Sequence, residues 1–328
     1  MLCKSLLLLT GPTATGKTEI ALDLVGHLEK VEIVSVDSRQ IYRQMDIGTA
    51  KPTKDQLLTC PHHFIDILQP DETYNAGDYG RAARATIGAI WQRNGLPLLV
   101  GGTGLYWQSV LDGFFTDSAD YAPVRRTLLE RLEREGLDAL YAELGALDPI
   151  LQRRIQPADT QRIIRSLEVA VSGEKTLSQL QRQADERQWS CRASMICLTR
   201  ERSALYKRIE QRVEEMVSAG LVAEVEALLH CGNHRMSTAL STLGYTEIKE
   251  YLEDEMSLEE AKELIKQRTR QFAKRQLTWF RRDRRLRFLD IGVWGRSGIV
   301  ERIIESWNRV STRGGFLDSR QLRPYFRT

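Results

Sequence analysis

No Cys-x-x-Cys pair occurs in the 328 residues of this sequence. Its five cysteines, Cys3, Cys60, Cys191, Cys197 and Cys231, are scattered and odd in number. That argues against both a zinc site and a disulfide framework. No run of about 18 uncharged apolar residues is present, so no membrane span is expected. The longest N-terminal apolar stretch, Leu6 to Leu9, is too short for a signal-peptide core and leads directly into a glycine-rich motif. There is no internal repeat and no low-complexity tract. With 42% hydrophobic and 28% charged residues, the composition is that of a folded chain rather than a disordered one. The expectation is a reduced, soluble, cytoplasmic protein, monomeric, built as one large domain or as a core with a smaller second domain.

The two signs of charge nearly cancel overall, with a formal net of only +3, but the balance is uneven along the chain. From Lys262 onward there are 18 Lys and Arg against 6 Asp and Glu, a local net of +12; the rest carries 29 against 38, a net of −9. Such polarity suggests one face built for an anionic polymer.

The first segment alternates short apolar runs with helical patterns. Leu6–Thr10, Glu32–Val36 and Leu96–Val100 read as buried parallel strands. Lys17–Leu28 and Asp78–Arg93 read as helices between them. Around Thr116 the strand signal stops, and 123–188 reads as helical, punctuated by Pro149 and Pro157. Ser194–Thr199 reads as a strand again, long helices fill 203–282, and Leu286–Ile291 reads as a last strand. The expected fold is α/β: a P-loop parallel-sheet core over 1–115 and 196–328, with a helical insertion over 116–195 and basic C-terminal helices.

Three motifs carry chemistry. Gly11-Pro12-Thr13-Ala14-Thr15-Gly16-Lys17-Thr18 matches G-x-x-x-x-G-K-[ST] between a strand and a helix. Its backbone amides, the helix N-terminus and Lys17 suit phosphate, and Thr18 suits a magnesium ion, whether the phosphate is ATP or another pyrophosphate. Asp37 follows the second strand, where ligands bind in open parallel sheets. Three readings compete for it, a metal ligand ahead of a general base or a helix cap, with Ser38, Arg39 and Gln40 at the rim. Gly101-Gly102-Thr103-Gly104 ends the third strand with a hydroxyl, Thr103, where a nucleotide hydrolase often has an acid.

These blocks resemble those of the tRNA dimethylallyltransferase family. The matching runs are GPTATGKT at 11–18, SVDSRQIY at 35–42, MDIGTAKP at 45–52, GGTGLY at 101–106 and DTQRIIRSLEV at 159–169. They continue with SGEKTLSQL at 172–180, RIEQRVEEMVSAGLVAEV at 208–225, LGYTEI at 243–248 and RQFAKRQLTWFR at 270–281. The resemblance implies transfer of a dimethylallyl group from dimethylallyl diphosphate to N6 of the adenosine just 3′ of the anticodon, in tRNAs that read codons beginning with U. It implies Mg2+ as cofactor, Asp37 as general base and Thr103 as an active-site residue. It places the diphosphate, rather than ATP, on Gly11, Thr13, Ala14, Thr15, Gly16, Lys17 and Thr18, with Arg202 and Arg208 nearby. It implies tRNA contact at Asp37, Ser38, Arg39, Gln40, Thr103 and Arg125, at Gln161, Arg162, Ile163, Ile164 and Arg165, and at Thr242, Leu243, Gly244, Tyr245, Thr246 and Glu247. Many eukaryotic members add a zinc finger for which this chain has no Cys/His pattern, which implies a bacterial-type enzyme. Position 104 is Gly where some relatives carry a bulkier residue such as Met, and 312–328 matches no pattern of the family.

Eight Lys and Arg within Arg270–Arg287, interleaved with Phe272, Trp279 and Phe280 and followed by Phe288, suit RNA phosphates and stacked bases. The same aromatics also read as core residues and the arginines as a solvated helix face. Three other functions fit some of these features. A transferase acting on free adenine nucleotides needs no basic C-terminal region. A nucleotide kinase needs an acid after Val100, and a binding module without catalysis needs no phosphate loop.

Overall fold

The computed structural model describes residues 4–113, 121–173, 175–185, 189, 191–230 and 237–312. Cys3, Cys231, the expected boundary at Thr116 and the tail after Thr312 lie outside the described residues. In chain order the elements are β1 (Ser5–Thr10), α1 (Lys17–His27), β2 (Val31–Ser35), α2 (Lys54–Leu57), β3 (His62–His63), α3 (Ala76–Gln92), β4 (Leu96–Gly101) and α4 (Gly104–Leu111). Helices α5 (Ala122–Glu135), α6 (Leu137–Leu147), α7 (Pro149–Gln152), α8 (Thr160–Ser172) and α9 (Leu177–Asp185) follow. Then come β5 (Arg192–Thr199), α10 (Arg202–Ser218), α11 (Leu221–His230), α12 (Ser237–Leu240), α13 (Tyr245–Leu252), α14 (Leu258–Phe280), β6 (Arg287–Asp290) and α15 (Ile291–Thr312).

The six strands form one parallel sheet in the order β3-β2-β4-β1-β5-β6. Leu6, Leu7, Leu8 and Leu9 of the central β1 are fully buried, as the uninterrupted apolar run requires of a strand covered on both faces. On one face Ile20, Ala21 and Leu24 of α1 join Ile299, Val300 and Ile303 of α15 in a single core with β1, β4 and β5. Tyr79 of α3 stacks on Tyr106 of α4 at 4.1 Å and donates its hydroxyl to the Ser35 carbonyl at 2.8 Å, tying two crossover helices to the end of β2.

The chain divides into two compact units. Among the described residues, one takes in those up to Val110 and from Cys191 onward and contains the whole sheet; the other takes in those from Leu111 to Trp189. The return to the sheet comes earlier than 196 because β5 already starts at Arg192, paired with Ser5. The helical unit packs Leu128, Leu140, Leu144, Leu151, Ile163, Ile164 and Leu167 into its own core. Its buried Asp148 accepts from the amides of Leu151 (3.1 Å) and Ser178 (2.9 Å), which compensates that carboxylate for lost water. Among the described residues no helix is long and apolar enough to cross a membrane.

Candidate active site

β1, β2 and β4 are neighbours in the sheet, and the turns that leave their C-terminal ends form the site. After β1 the chain closes the phosphate loop. Gly11 (φ +149°) packs against β5 so tightly that a Cβ would come within 2.5 Å of the Leu198 carbonyl oxygen. Gly16 (φ +95°) turns the chain into α1. The Thr15 hydroxyl donates to the Pro12 carbonyl at 2.8 Å and braces the loop from within. The Lys17 ammonium donates to the carbonyls of Gly11 (2.9 Å) and Pro12 (2.8 Å). Burial pushes this ammonium down to about 8, with Arg212 adding to the effect and Asp37 opposing it. An anion on the loop would restore the proton.

The turn after β2 carries Asp37. Its Oδ1 accepts from the amides of Arg39 (2.8 Å) and Gln40 (3.4 Å); no helix starts here, so the oxygen braces a turn and the helix-cap reading does not hold. Oδ2 has no hydrogen bond among the described residues. The turn after β4 approaches from beside it: Thr103 donates its amide to the Val36 carbonyl at 3.1 Å, and its hydroxyl oxygen accepts from the Ser38 amide at 3.1 Å. Gly101 makes the approach possible, since a Cβ there would overlap the Val36 carbonyl. Asp37, Ser38 and Thr103 are thus brought together. Gln40 is fixed at the rim by the Ser35 hydroxyl (3.3 Å) and by the carbonyls of Thr49 and Ala50, while Arg39 is partly exposed there.

Helix α10 supplies cations. Arg208 donates from Nε to the Ala14 carbonyl of the loop at 3.1 Å and pairs with Glu19 at 3.6 Å. Arg202, by contrast, lies exposed on the first turn against Tyr206, donating to its hydroxyl at 3.0 Å. The sequence reading missed Arg212. Its guanidinium is depressed by burial and held charged by Glu19 and Asp37, and it acts on Lys17, which places it among the phosphate-loop groups. The signal was available: Arg208 and Arg212 are four residues apart and share one helix face. Gln276 of α14 was also missed, and it contacts both the phosphate loop and the Thr103 turn.

The candidate RNA-contact residues fall into distinct environments. In the helical unit Arg125 and Arg165 both pair with the buried Glu168, at 2.7 and 3.1 Å, and Arg165 also covers the Tyr121 ring at 4.3 Å. Gln161 and Arg162 are exposed at the start of α8. Ile163 and Ile164 are core residues with no side-chain surface to offer. In the sheet unit Thr242, Gly244, Tyr245 and Glu247 are buried, with Glu247 accepting from the Gly244 amide and from Arg268; Leu243 and Thr246 are half-buried. Gln271, Lys274, Arg275, Thr278 and Trp279 of α14, with Arg282 just beyond its end, line a groove of about 450 Å³. Phe280 is core, whereas Phe272 and Phe288 are exposed. Trp279 lies over Gly104, where any Cβ would overlap the indole, which accounts for glycine at that position. Arg285 is not a free cation: it forms a two-nitrogen pair with Asp283.

The IPP transferase family matches residues 40–283, and the isopentenyl transferase family matches residues 4–70. The chain is 43% identical over 302 residues to the tRNA dimethylallyltransferase 1 of Syntrophotalea carbinolica, covering 92% of this chain and 95% of the relative. It is 45% identical over 289 residues to the tRNA dimethylallyltransferase of Moorella thermoacetica, covering 86% and 89%. Among solved structures, the tRNA isopentenylpyrophosphate transferase of Bacillus halodurans is similar with a TM-score of 0.68 at 35% identity, covering 94% of this chain and 98% of the other. A eukaryotic dimethylallyltransferase acting on tRNA shares the fold, with a TM-score of 0.79 at 24% identity, covering 97% and 82%.

Proposed function

The chain belongs to the IPP transferase family, and on that premise we propose how its site works as a tRNA dimethylallyltransferase of bacterial type. It transfers a dimethylallyl group to tRNA. The acceptor is N6 of the adenosine just 3′ of the anticodon, in tRNAs reading codons that begin with U, and the enzyme acts in the cytoplasm as a monomer. The observation that carries this reading is the convergence of the phosphate loop, Asp37 and Thr103 at one end of three adjacent strands.

Dimethylallyl diphosphate lays its diphosphate on the loop from Gly11 to Thr18, against Lys17, Arg208 and Arg212. The acceptor amine attacks the allylic carbon; the new N–C bond forms as the C–O bond to diphosphate breaks. The free oxygen of Asp37 takes the proton that the amine loses, while Oδ1 stays in its turn. The Thr103 hydroxyl, held against Ser38, orients the acceptor base. The cations of the loop and α10 hold the charge that accumulates on the departing diphosphate. The residues present suit a magnesium ion. Among the described residues no cluster of three acidic, His or Cys side chains exists, and the half-buried Thr18 hydroxyl has no hydrogen bond there. Magnesium is commonly held this way, by few protein oxygens together with phosphate and water. Thr18 would hold it, and bound there it would neutralise diphosphate charge.

The missing acid after β4 counts against a kinase, and the complete phosphate loop counts against a binder without chemistry. Mass analysis of tRNA nucleosides after incubation with dimethylallyl diphosphate and magnesium tests the reading. Isopentenyladenosine is expected in tRNA; modification of AMP but not of tRNA, or hydrolysis of ATP instead, would refute it.

A further inference from the structure

Gln276 sits near the C-terminal end of α14 and is more than nine-tenths buried. Its amide oxygen accepts from the Thr13 backbone amide at 2.9 Å, and its amide nitrogen donates to the Gly102 carbonyl at 2.9 Å. Thr13 belongs to the turn that holds the donor's diphosphate, and Gly102 immediately precedes Thr103 in the turn beside the acceptor. These partners lie 263 and 174 residues away in the chain, and one planar amide joins them. Gly102 is shaped for the contact, since a Cβ there would stand 2.5 Å from the Gln276 nitrogen.

We propose that Gln276 is a positioning residue that sets the distance between the two substrates, a role that rests on the transferase reading above. Its polar atoms are spent on two backbone groups, so it acts through them. The Thr13 amide is thereby withdrawn from phosphate binding, and the loop's third residue becomes a structural anchor. Each substrate keeps its own cradle without the bridge; what is lost is the alignment of the amine with the allylic carbon. Misplacement by about 1 Å can cost on the order of 100-fold in rate.

The test is steady-state and single-turnover kinetics of the full chain with tRNA and labelled dimethylallyl diphosphate. Gln276→Met keeps the length and removes both hydrogen bonds. It is expected to lower kcat by about 10- to 100-fold while KM for each substrate moves less than about threefold. Gly102→Ala attacks the same contact from its other end, so the double variant should be no slower than the slower single one. Should Gln276→Met fail to fold, as judged by its melting transition, Gln276→Asn keeps the uncharged amide but is one methylene too short to span both backbone groups, and must show the same split of kcat from KM. The proposal falls if Gln276→Met keeps kcat within twofold of the wild type, if the loss is carried by the KM for tRNA, or if the two single losses multiply. A wild-type protein that makes no isopentenylated tRNA would instead overturn the transferase reading itself.

Discussion

Donor binding should take up a proton above pH 8, and Lys17 is the reason. In the free protein its ammonium titrates near 8 because burial in the loop and the neighbouring Arg212 disfavour the charged form. A bound diphosphate restores the charge, so the bound state keeps its proton to higher pH. At pH 7 about nine-tenths of the free sites are already charged; at pH 9 only about one-tenth are. Donor affinity should therefore be flat from pH 6.5 to 7.5 and then weaken towards tenfold per pH unit, an approximate limit for one linked proton. The donor contributes no such break, since its last phosphate ionisation lies near about 6. Calorimetric titration in buffers of different ionisation enthalpy reads the proton directly, with about half a proton taken up at pH 8 and about nine-tenths at pH 9. Removing a neighbouring cation raises a lysine pKa, so Arg212→Gln should weaken binding at neutral pH and move the break upward. Lys17→Met should abolish it. Affinity that stays constant from pH 7 to 9.5, with no proton uptake, would refute the argument. In the free protein the same shift has a stability counterpart: between about 8 and 10.5 the unfolded chain binds the extra proton, so stability rises with pH across that window.

Asp37→Asn keeps an oxygen for the Arg39 amide and removes the base, so turnover should fall by about 10²- to 10⁴-fold with tRNA affinity little changed; a loss under about tenfold in single-turnover assays would sink the role. Neutralising the exposed Arg281 and Arg282 together should weaken tRNA binding and flatten its salt dependence by roughly 0.7–0.9 log unit per lost phosphate contact, measured by filter binding across a salt series; an unchanged slope would leave them a solvated helix end. Leu144→Ala, which empties a fully buried site in the helical unit, should cost about 2–5 kcal/mol in the unfolding of that unit, read from denaturant titration; a loss below about 1 kcal/mol would show that the unit's core is elsewhere.

The parallel core was legible because its strands are continuous apolar runs and its glycines stand where the loop must turn. β3 was not, since His62 and His63 carry no apolar signal and pair only because β2 runs beside them. Strand and helix ends moved by one or two residues, as in α3, which begins at Ala76 under an Asn75 cap rather than at Asp78. Motifs indicated which segments matter but not which side chains face outward. The run from Gln161 to Arg165 supplies two core isoleucines, and Arg285 is committed to Asp283. Gln276 was invisible for a different reason: its partners are backbone atoms, which have no letter in a sequence. Glu168 was missed for another reason: its pairing with Arg125 needs α5 and α8 side by side, which only the fold supplies.

The contact at Gly101 limits how this site can be re-tuned. The turn bearing Thr103 meets the end of β2 backbone to backbone at Gly101 and at the Thr103 amide, and the Thr103 hydroxyl adds its contact to the Ser38 amide. Substitution elsewhere can alter what surrounds Asp37, at Ser38 or at Gln40, one rim position at a time. It cannot widen the gap between the two turns by degrees, because even the smallest side chain at Gly101 would part them at once. Variants selected for a bulkier acceptor should therefore accumulate at the rim and leave this glycine untouched.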